Sequence, residues 1–153
     1  MRGDLGQLIM KPGSNLQDNC IVHTSLGIDT ILEEGSIVGH GVILHGCRIG
    51  RHALIGMNTV VMDRAVVGEE SIVGALTVIP KWMQLPPRVM SYGIPVEVRR
   101  ELTPAEIAGL ARGALFYQEL AARYREAVIA CAPLAAPEPG RRRVIDVLKA
   151  SPV

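Results

Sequence analysis

Aromatic side chains are scarce in this chain, with one Trp, three Tyr and one Phe among 153 residues. That length can enclose the core of a single domain, so the core must be built from Val, Ile, Leu, Ala and Met. Excess charge is absent too. A net charge of +1 gives no electrostatic reason to bind nucleic acid or an acidic membrane surface. Three cysteines, Cys20, Cys47 and Cys131, match no zinc-ligand spacing and cannot pair evenly, which points to a reducing compartment. No run of 18 apolar residues could span a bilayer, and no secretory signal opens the chain. A cytoplasmic location is expected. Familiar histidine motifs are missing as well. The stretch "GSIVGHGVILHGCRIG" (35–50) holds His40 and His45 five positions apart, whereas a metalloprotease helix spaces its ligands by four and a zinc finger adds a CxxC pair.

What is present is a six-residue repeat. Every sixth position from 31 reads Ile31, Ile37, Ile43, Ile49, Ile55, Val61, Val67, Val73 and Ile79. Two positions before them, from 35 on, stand Gly35, Gly41, Cys47, Ala53, Thr59, Ala65, Ser71 and Thr77. Glycine follows directly at Gly50, Gly56, Gly68 and Gly74. A period of six fits neither a 3.6-residue helix nor a hairpin array. It fits short parallel strands with a turn after each, three hexapeptides making an 18-residue triangular coil, with the branched residue pointing inward. The expected fold is therefore a mainly β, left-handed parallel β-helix, a solenoid in which each coil needs its neighbours, followed by a C-terminal α-helix. Upstream the register runs through Val22, Leu16, Met10 and Asp4, and the nine-residue step from Val22 to Ile31 makes "TSLGIDT" (24–30) a corner with three extra residues. The expected boundaries are a β-helix over 1–80, an exit loop over 81–102 rich in proline, a helix over 103–131 and a loosely ordered tail over 132–153. In "LTPAEIAGL", Thr103 reads as an N-cap, with Pro104 in the first turn and Glu106 completing a capping box. The "RRR" of the tail reads as a solvated patch.

Counting positions modulo 18, with three added before the long corner, places Gln17, Asp18, His40, Arg2, Asp4, His23 and His45 within less than half of the perimeter. His52 falls on another side and reads as a surface residue. His23 and His45 are one coil apart and one phase apart, with backbones about 5–6 Å from each other. His40 lies five extended residues from His45, roughly 15 Å if straight, too far to join them on one ion with zinc–nitrogen bonds of about 2.0–2.1 Å. A threefold homotrimer would bring His40 of one prism to His23 and His45 of the next. Three neutral imidazoles and an open fourth position are a catalytic zinc pattern, with bound water at a pKa of about 7.

Several stretches resemble the γ-class carbonic anhydrase-like proteins: "RGD" (2–4), "NLQDNCIVH" (15–23), "GHGVILHGCRIG" (39–50), "IGMNTVVMD" (55–63) and the exit motif "GIPVEVRREL" (93–102). The likeness is to the branch of the phenylacetate-degradation and carnitine-operon proteins, and it covers residues 1–125. It implies a homotrimer with zinc, iron or cobalt at subunit interfaces. His23, His40 and His45 match the metal ligands. Gln17 matches a residue that bonds metal-bound solvent, Arg2 with Asp18 an intersubunit ion pair, and Asn15 and Asp4 polar residues around the site. Leu5 and the short "TSLG" stand where the archetypal enzyme has proton-moving glutamates, and further strands are expected upstream of Arg2.

The reading that follows is a metal-dependent lyase or CoA thioesterase. A zinc-bound hydroxide would attack CO2 or a thioester carbonyl, in a role of the phenylacetate-catabolism type. An acetyl-CoA-dependent hexapeptide acyltransferase, with one histidine as base, and a catalytically inactive scaffold trimer are the alternatives.

Overall fold

The computed structural model describes residues 1–136 and 139–140. The tail from 141 on, including the arginine run, lies outside the described residues. Three parallel sheets form the sides of a prism that the chain winds around. The first holds β1 (Leu8–Met10), β4 (Thr30–Leu32), β7 (Arg48–Ile49), β10 (Val66–Val67) and β13 (Gln84–Leu85). The second holds β2 (Asn15–Leu16), β5 (Ile37–Val38), β8 (Leu54–Ile55), β11 (Ile72–Val73), β14 (Val89–Tyr92) and, antiparallel at its edge, β15 (Glu97–Glu101). The third holds β3 (Ile21–His23), β6 (Ile43–His45), β9 (Val60–Val61) and β12 (Val78–Ile79). This is the parallel β-helix that the repeat predicts.

The inward side chains form the core. Val22, Leu32, Val38, Leu44, Ile49, Ile55, Val61, Val67, Val73, Ile79 and Leu85 are all at most 5% exposed. Each fully buried branched side chain contributes about 1.5–3 kcal/mol relative to exposure. The small residues Ala53, Thr59, Ala65, Ser71 and Thr77 fill the narrowing corners. Beside them most turns place a residue at positive φ, among them Asn58, Arg64, Glu70, Leu76 and Trp82.

The inward register differs from the sequence reading in one respect. In the first half of the repeat the inward residues are Leu32, Val38 and Leu44, not Ile31, Ile37 and Ile43; Ile43 is 36% exposed, and Ile37 is buried from the outside, beneath α1. Both neighbours at each of these positions are apolar, so a period-six reading cannot choose between them. Strand pairing shows why the count still worked. Ile21 pairs with Ile43, Ile43 with Val60 and Val60 with Val78. Against the regular step from Val60 to Val78, the first of these is longer by four and the second shorter by one. The corner over 24–29 therefore holds the gain, and the turn at Gly46 the loss. The net of three is what the sequence displays.

The segment expected as an exit loop is largely part of the solenoid. β13 pairs in parallel with β10 and β14 with β11, carrying the coils on to Tyr92 before β15 folds back. Its prolines sit at turns between these short strands, Pro86 and Pro87 between β13 and β14, where no ladder donor is lost. The helix α1 (Pro104–Ala127) starts as predicted. Thr103 accepts from the Glu106 amide, and the Glu106 carboxylate accepts from the Thr103 amide. Only Leu110 and Ala114 of α1 are buried. Its first half lies along the prism, where Gly113 is close enough to Ile37 that a Cβ would stand 3.3 Å from that side chain.

Candidate metal site

His23 and His45 end the paired strands β3 and β6 and are register partners. Val22 and Leu44 point inward, so strand alternation sends both histidines outward. Their rings meet edge to face at 5.1 Å, with His23 Nδ1 and His45 Nε2 3.2 Å apart. Asp4 Oδ1 lies 2.9 Å from His23 Nε2, Arg2 reaches the same nitrogen at 3.1 Å, and Arg2 and Asp4 pair at 3.3 Å. The hydrogen bond with His23 is the largest influence on the Asp4 carboxyl, which sits below its ordinary value.

Behind His45 stands Asp63. Its Oδ1 lies 2.8 Å from His45 Nδ1 and also accepts from the Ser25 hydroxyl at 3.0 Å, while Lys81 Nζ is 3.4 Å from Oδ2. Burial pushes the Asp63 carboxyl up, but the bonds from His45, Ser25 and Lys81 outweigh it and hold the group below its ordinary value. Asp63 was not among the residues singled out from sequence, although a signal existed. It stands one regular coil after His45, and Lys81 one regular coil after Asp63, so coil counting carried past position 50 finds the column.

The other sequence-selected residues lie elsewhere. His40 occupies the turn after β5, between Gly39 and Gly41, and its Nδ1 is 3.3 Å from Asp18 Oδ2. Both are largely exposed, His40 at 52% and Asp18 at 88%. Gln17 precedes Asp18 at the end of β2, and Asn15 faces α1 with a buried Oδ1 lacking a partner. Arg2 pairs with Asp4 within the chain, and Asp18 pairs with His40. The seven clustered residues thus divide between two corners: Arg2, Asp4, His23 and His45 at one, Gln17, Asp18 and His40 at the other. His52 lies under Gly35 at a third corner, at positive φ, with its Nδ1 buried. Cys47 fills a small-residue slot at 2% exposure, and burial pushes its thiol up to about 12.

Within the described residues no three His, Cys, Asp or Glu side chains converge on one ion position. Two do. Tetrahedral zinc with bonds of about 2.0–2.1 Å sets its ligand nitrogens about 3.3 Å apart, and His23 Nδ1 and His45 Nε2 stand at 3.2 Å. The pair fits half of a zinc centre and needs further ligands from outside its own corner.

A stacked prism of hexapeptide coils is the build of a class of bacterial transferase-family proteins, and comparisons place the chain in it. The signature described as "Bacterial transferase hexapeptide (six repeats)" matches residues 46–81. The carnitine operon protein CaiE of Proteus sp. (strain LE138) is 40% identical over 152 residues, covering 99% of this chain and 77% of that one. The protein of the same name from Salmonella agona (strain SL483) is 44% identical over 144 residues, covering 94% and 73%. Among solved structures, a hexapeptide transferase family protein from Anaplasma phagocytophilum superposes with a TM-score of 0.75 at 35% identity, covering 80% of this chain and 72% of that one. A Bacillus cereus protein assigned provisionally as an acetyltransferase gives 0.73 at 37%, covering 74% and 66%. The chain belongs to the bacterial hexapeptide-repeat transferase family, in the γ-carbonic anhydrase-like group with CaiE. No helix among the described residues is long and apolar enough to cross a membrane.

Proposed function

We propose that this chain supplies two corners of a metal centre shared between copies in a homotrimer, and that the centre hydrolyses a CoA thioester or hydrates CO2. The carrying observation is the 3.2 Å approach of His23 Nδ1 and His45 Nε2, beside an exposed His40 that no other histidine of its own chain meets. His23 and His45 would hold the ion from one copy and His40 from the next. Zinc in such a set, or iron or cobalt, supplies an activated water near neutral pH. Asp4 and Arg2 orient His23, Asp63 orients His45, and Asp18 steadies His40 until a neighbour arrives. Gln17, on the His40 corner, would bond the attacking water, and Asn15 would contribute to the polar surround. With Leu5 and "TSLG" where the archetypal enzyme carries glutamates, Asp4 is the solvent-exposed carboxylate beside the histidine pair, and a thioester substrate asks less of rapid proton export than CO2 does.

The test is metal content and assembly together. Purified protein should sediment as a trimer with close to one transition-metal ion per chain, and His40→Ala and His45→Ala should each lose it. Co-expression of these two variants should restore metal and turnover at the interfaces where an intact His23–His45 pair meets an intact His40. Retention of activity by His40→Ala alone would sink the shared site.

A second reading draws on the His45–Asp63 pair and on the transferase descriptions of solved relatives. A histidine backed by a carboxylate can act as general base toward a hydroxyl or amine, so acetyl transfer from acetyl-CoA by metal-free protein would favour it. Intact trimers with neither metal nor turnover would indicate a scaffold.

A further inference from the structure

The two departures from an 18-residue coil meet at one corner. The four-residue gain over 24–29 brings Ser25 to Asp63 across two coils, and Gly46, at the one-residue loss, leaves room for the Asp63 carboxylate because it carries no Cβ. Arg64 and Gly46 are bonded neighbours across that corner, through Arg64 N–H donating to the Gly46 carbonyl. Leu44 pairs with Val61, and the same step sets Gly46 directly over Asp63. The Asp63 carboxylate lies against the bare face of Gly46. A Cβ on Gly46 would stand 2.5 Å from Asp63 Oδ1 and 3.2 Å from the Ile28 side chain, so only glycine, here at φ +59°, leaves the passage open.

We propose that Asp63, tethered by Ser25 and Lys81 beneath Gly46, is a positioning residue that fixes the tautomer of His45. This rests on the metal-centre reading above only for its consequence, not for its geometry. At 2.8 Å an ionised carboxylate can only accept, so His45 carries its proton on Nδ1 and presents the lone pair of Nε2 toward His23. Nε2 is then ready for an ion without a tautomer change, and the ring cannot rotate away while Asp63 is held. The longer corner over 24–29 supplies the Ser25 tether, and the carboxylate it holds is itself withdrawn from solvent, at 13% exposure.

Long-range proton–nitrogen NMR of metal-free protein with labelled histidine reads the tautomer directly. Wild type should show His45 protonated at Nδ1 with Nε2 bare, and Asp63→Asn and Ser25→Ala should shift the ring toward a mixture, the first more than the second. Titration of zinc against a chelator should then give about 10–100-fold weaker binding for Asp63→Asn and a smaller loss for Ser25→Ala, whose bulk change is slight. A His45 protonated at Nε2 in wild type, or an unaltered tautomer in Asp63→Asn, overturns the inference. So does zinc affinity unchanged within twofold in a folded Asp63→Asn protein. If wild type takes up no zinc, the metal-centre reading fails while the tautomer measurement still decides the role of Asp63.

Discussion

The later coils and the first ones obey different arithmetic. From β7 onward the coils keep one length, Arg48 pairing with Val66 and Val66 with Gln84, and the inward residues follow at six without exception. Before β7 one coil is longer by four, with Ile21 opposite Ile43, and the next is shorter by one, with Ile43 opposite Val60. The family signature covers 46–81, nearly all of it regular, and begins just after His45, leaving His23, His40 and His45 outside it. Regular coils make a scaffold whose interior any Ile or Val can fill. Irregular coils break that repetition, and a break can bring together residues that strict stacking would hold a fixed coil apart. A match to the repeat therefore speaks for the scaffold, and the chemistry has to be sought where the count fails.

The contrast is most exposed to test in the residues that face inward on the irregular side. Leu44 is fully buried and Ile43 is 36% exposed. Leu44→Ala should cost about 2–5 kcal/mol in denaturant unfolding, and Ile43→Ala about 1 kcal/mol or less. Ile49→Ala and Leu54→Ala, across the change of register, should repeat the contrast, since Ile49 is fully buried and Leu54 is not. Equal costs at Ile43 and Leu44 would mean that the gain of four and loss of one are not where the strand pairing puts them.

Much of this was legible in advance, and the reasons for the rest are physical. Val22, Leu16 and the run from Ile49 to Ile79 announce a prism because an interior at period six tolerates only apolar side chains. The capping box at Thr103 was legible because its two bonds join side chains to backbone three positions away, with no tertiary partner. The split of His23 and His45 from His40 followed from the coil perimeter. What could not be read was the inward residue at 31–44, because Ile31–Leu32, Ile37–Val38 and Ile43–Leu44 are apolar at both positions. β13 and β14 were obscured by prolines, which a turn accepts and a helix or central strand does not. Asp63 stands one 18-residue step after His45 and was countable, but its contact with Ser25 could not be read, because it depends on the path of the longer corner over 24–29.

Glycine substitutions probe the two regions at the next level of effect. Gly56 belongs to the regular coils, and a Cβ there would stand 2.4 Å from the Ala75 amide nitrogen. Backbone cannot step aside cheaply, so Gly56→Ala should cost about 1–3 kcal/mol and leave the His45 tautomer untouched. Gly46→Ala meets a carboxylate instead, at a positive φ that L-residues adopt at a cost of about 1–2 kcal/mol. Its stability loss should be similar or smaller, but its His45 ring signals should shift toward those of Asp63→Asn. Unfolding curves and histidine NMR of the two variants, side by side, separate damage to the scaffold from damage to the corner. A Gly46→Ala protein with unaltered His45 would mean that the room left by Gly46 does not hold Asp63 in place.

The smallest effect concerns the helix, which lies against the prism mainly through Leu110 and Ala114. The Arg100 guanidinium and the Thr103 amide and hydroxyl hold the Glu106 carboxyl down at about 2, against an ordinary 4.5. A depressed folded-state value makes the charged form the stabilising one. Its contribution is complete above pH 4.5, shrinks as the unfolded chain takes up its proton below that, and is gone once pH passes under about 2. Glu106 is solvent-facing, so salt screens the pair and the effect is modest. In wild type the α1 signal, followed by far-ultraviolet circular dichroism, should hold from pH 7 to about 3 and decline toward 2. Glu106→Gln keeps an amide oxygen for the Thr103 amide but gives up the charge, so its helix should be slightly weaker at pH 7 and lack this step. The prism, whose interior holds no carboxylate, should show no matching transition in the variant. A step that persists in Glu106→Gln would place the acid sensitivity in the surface carboxylates Glu33 and Glu70, which are also held below their ordinary values by their Lys and Arg partners.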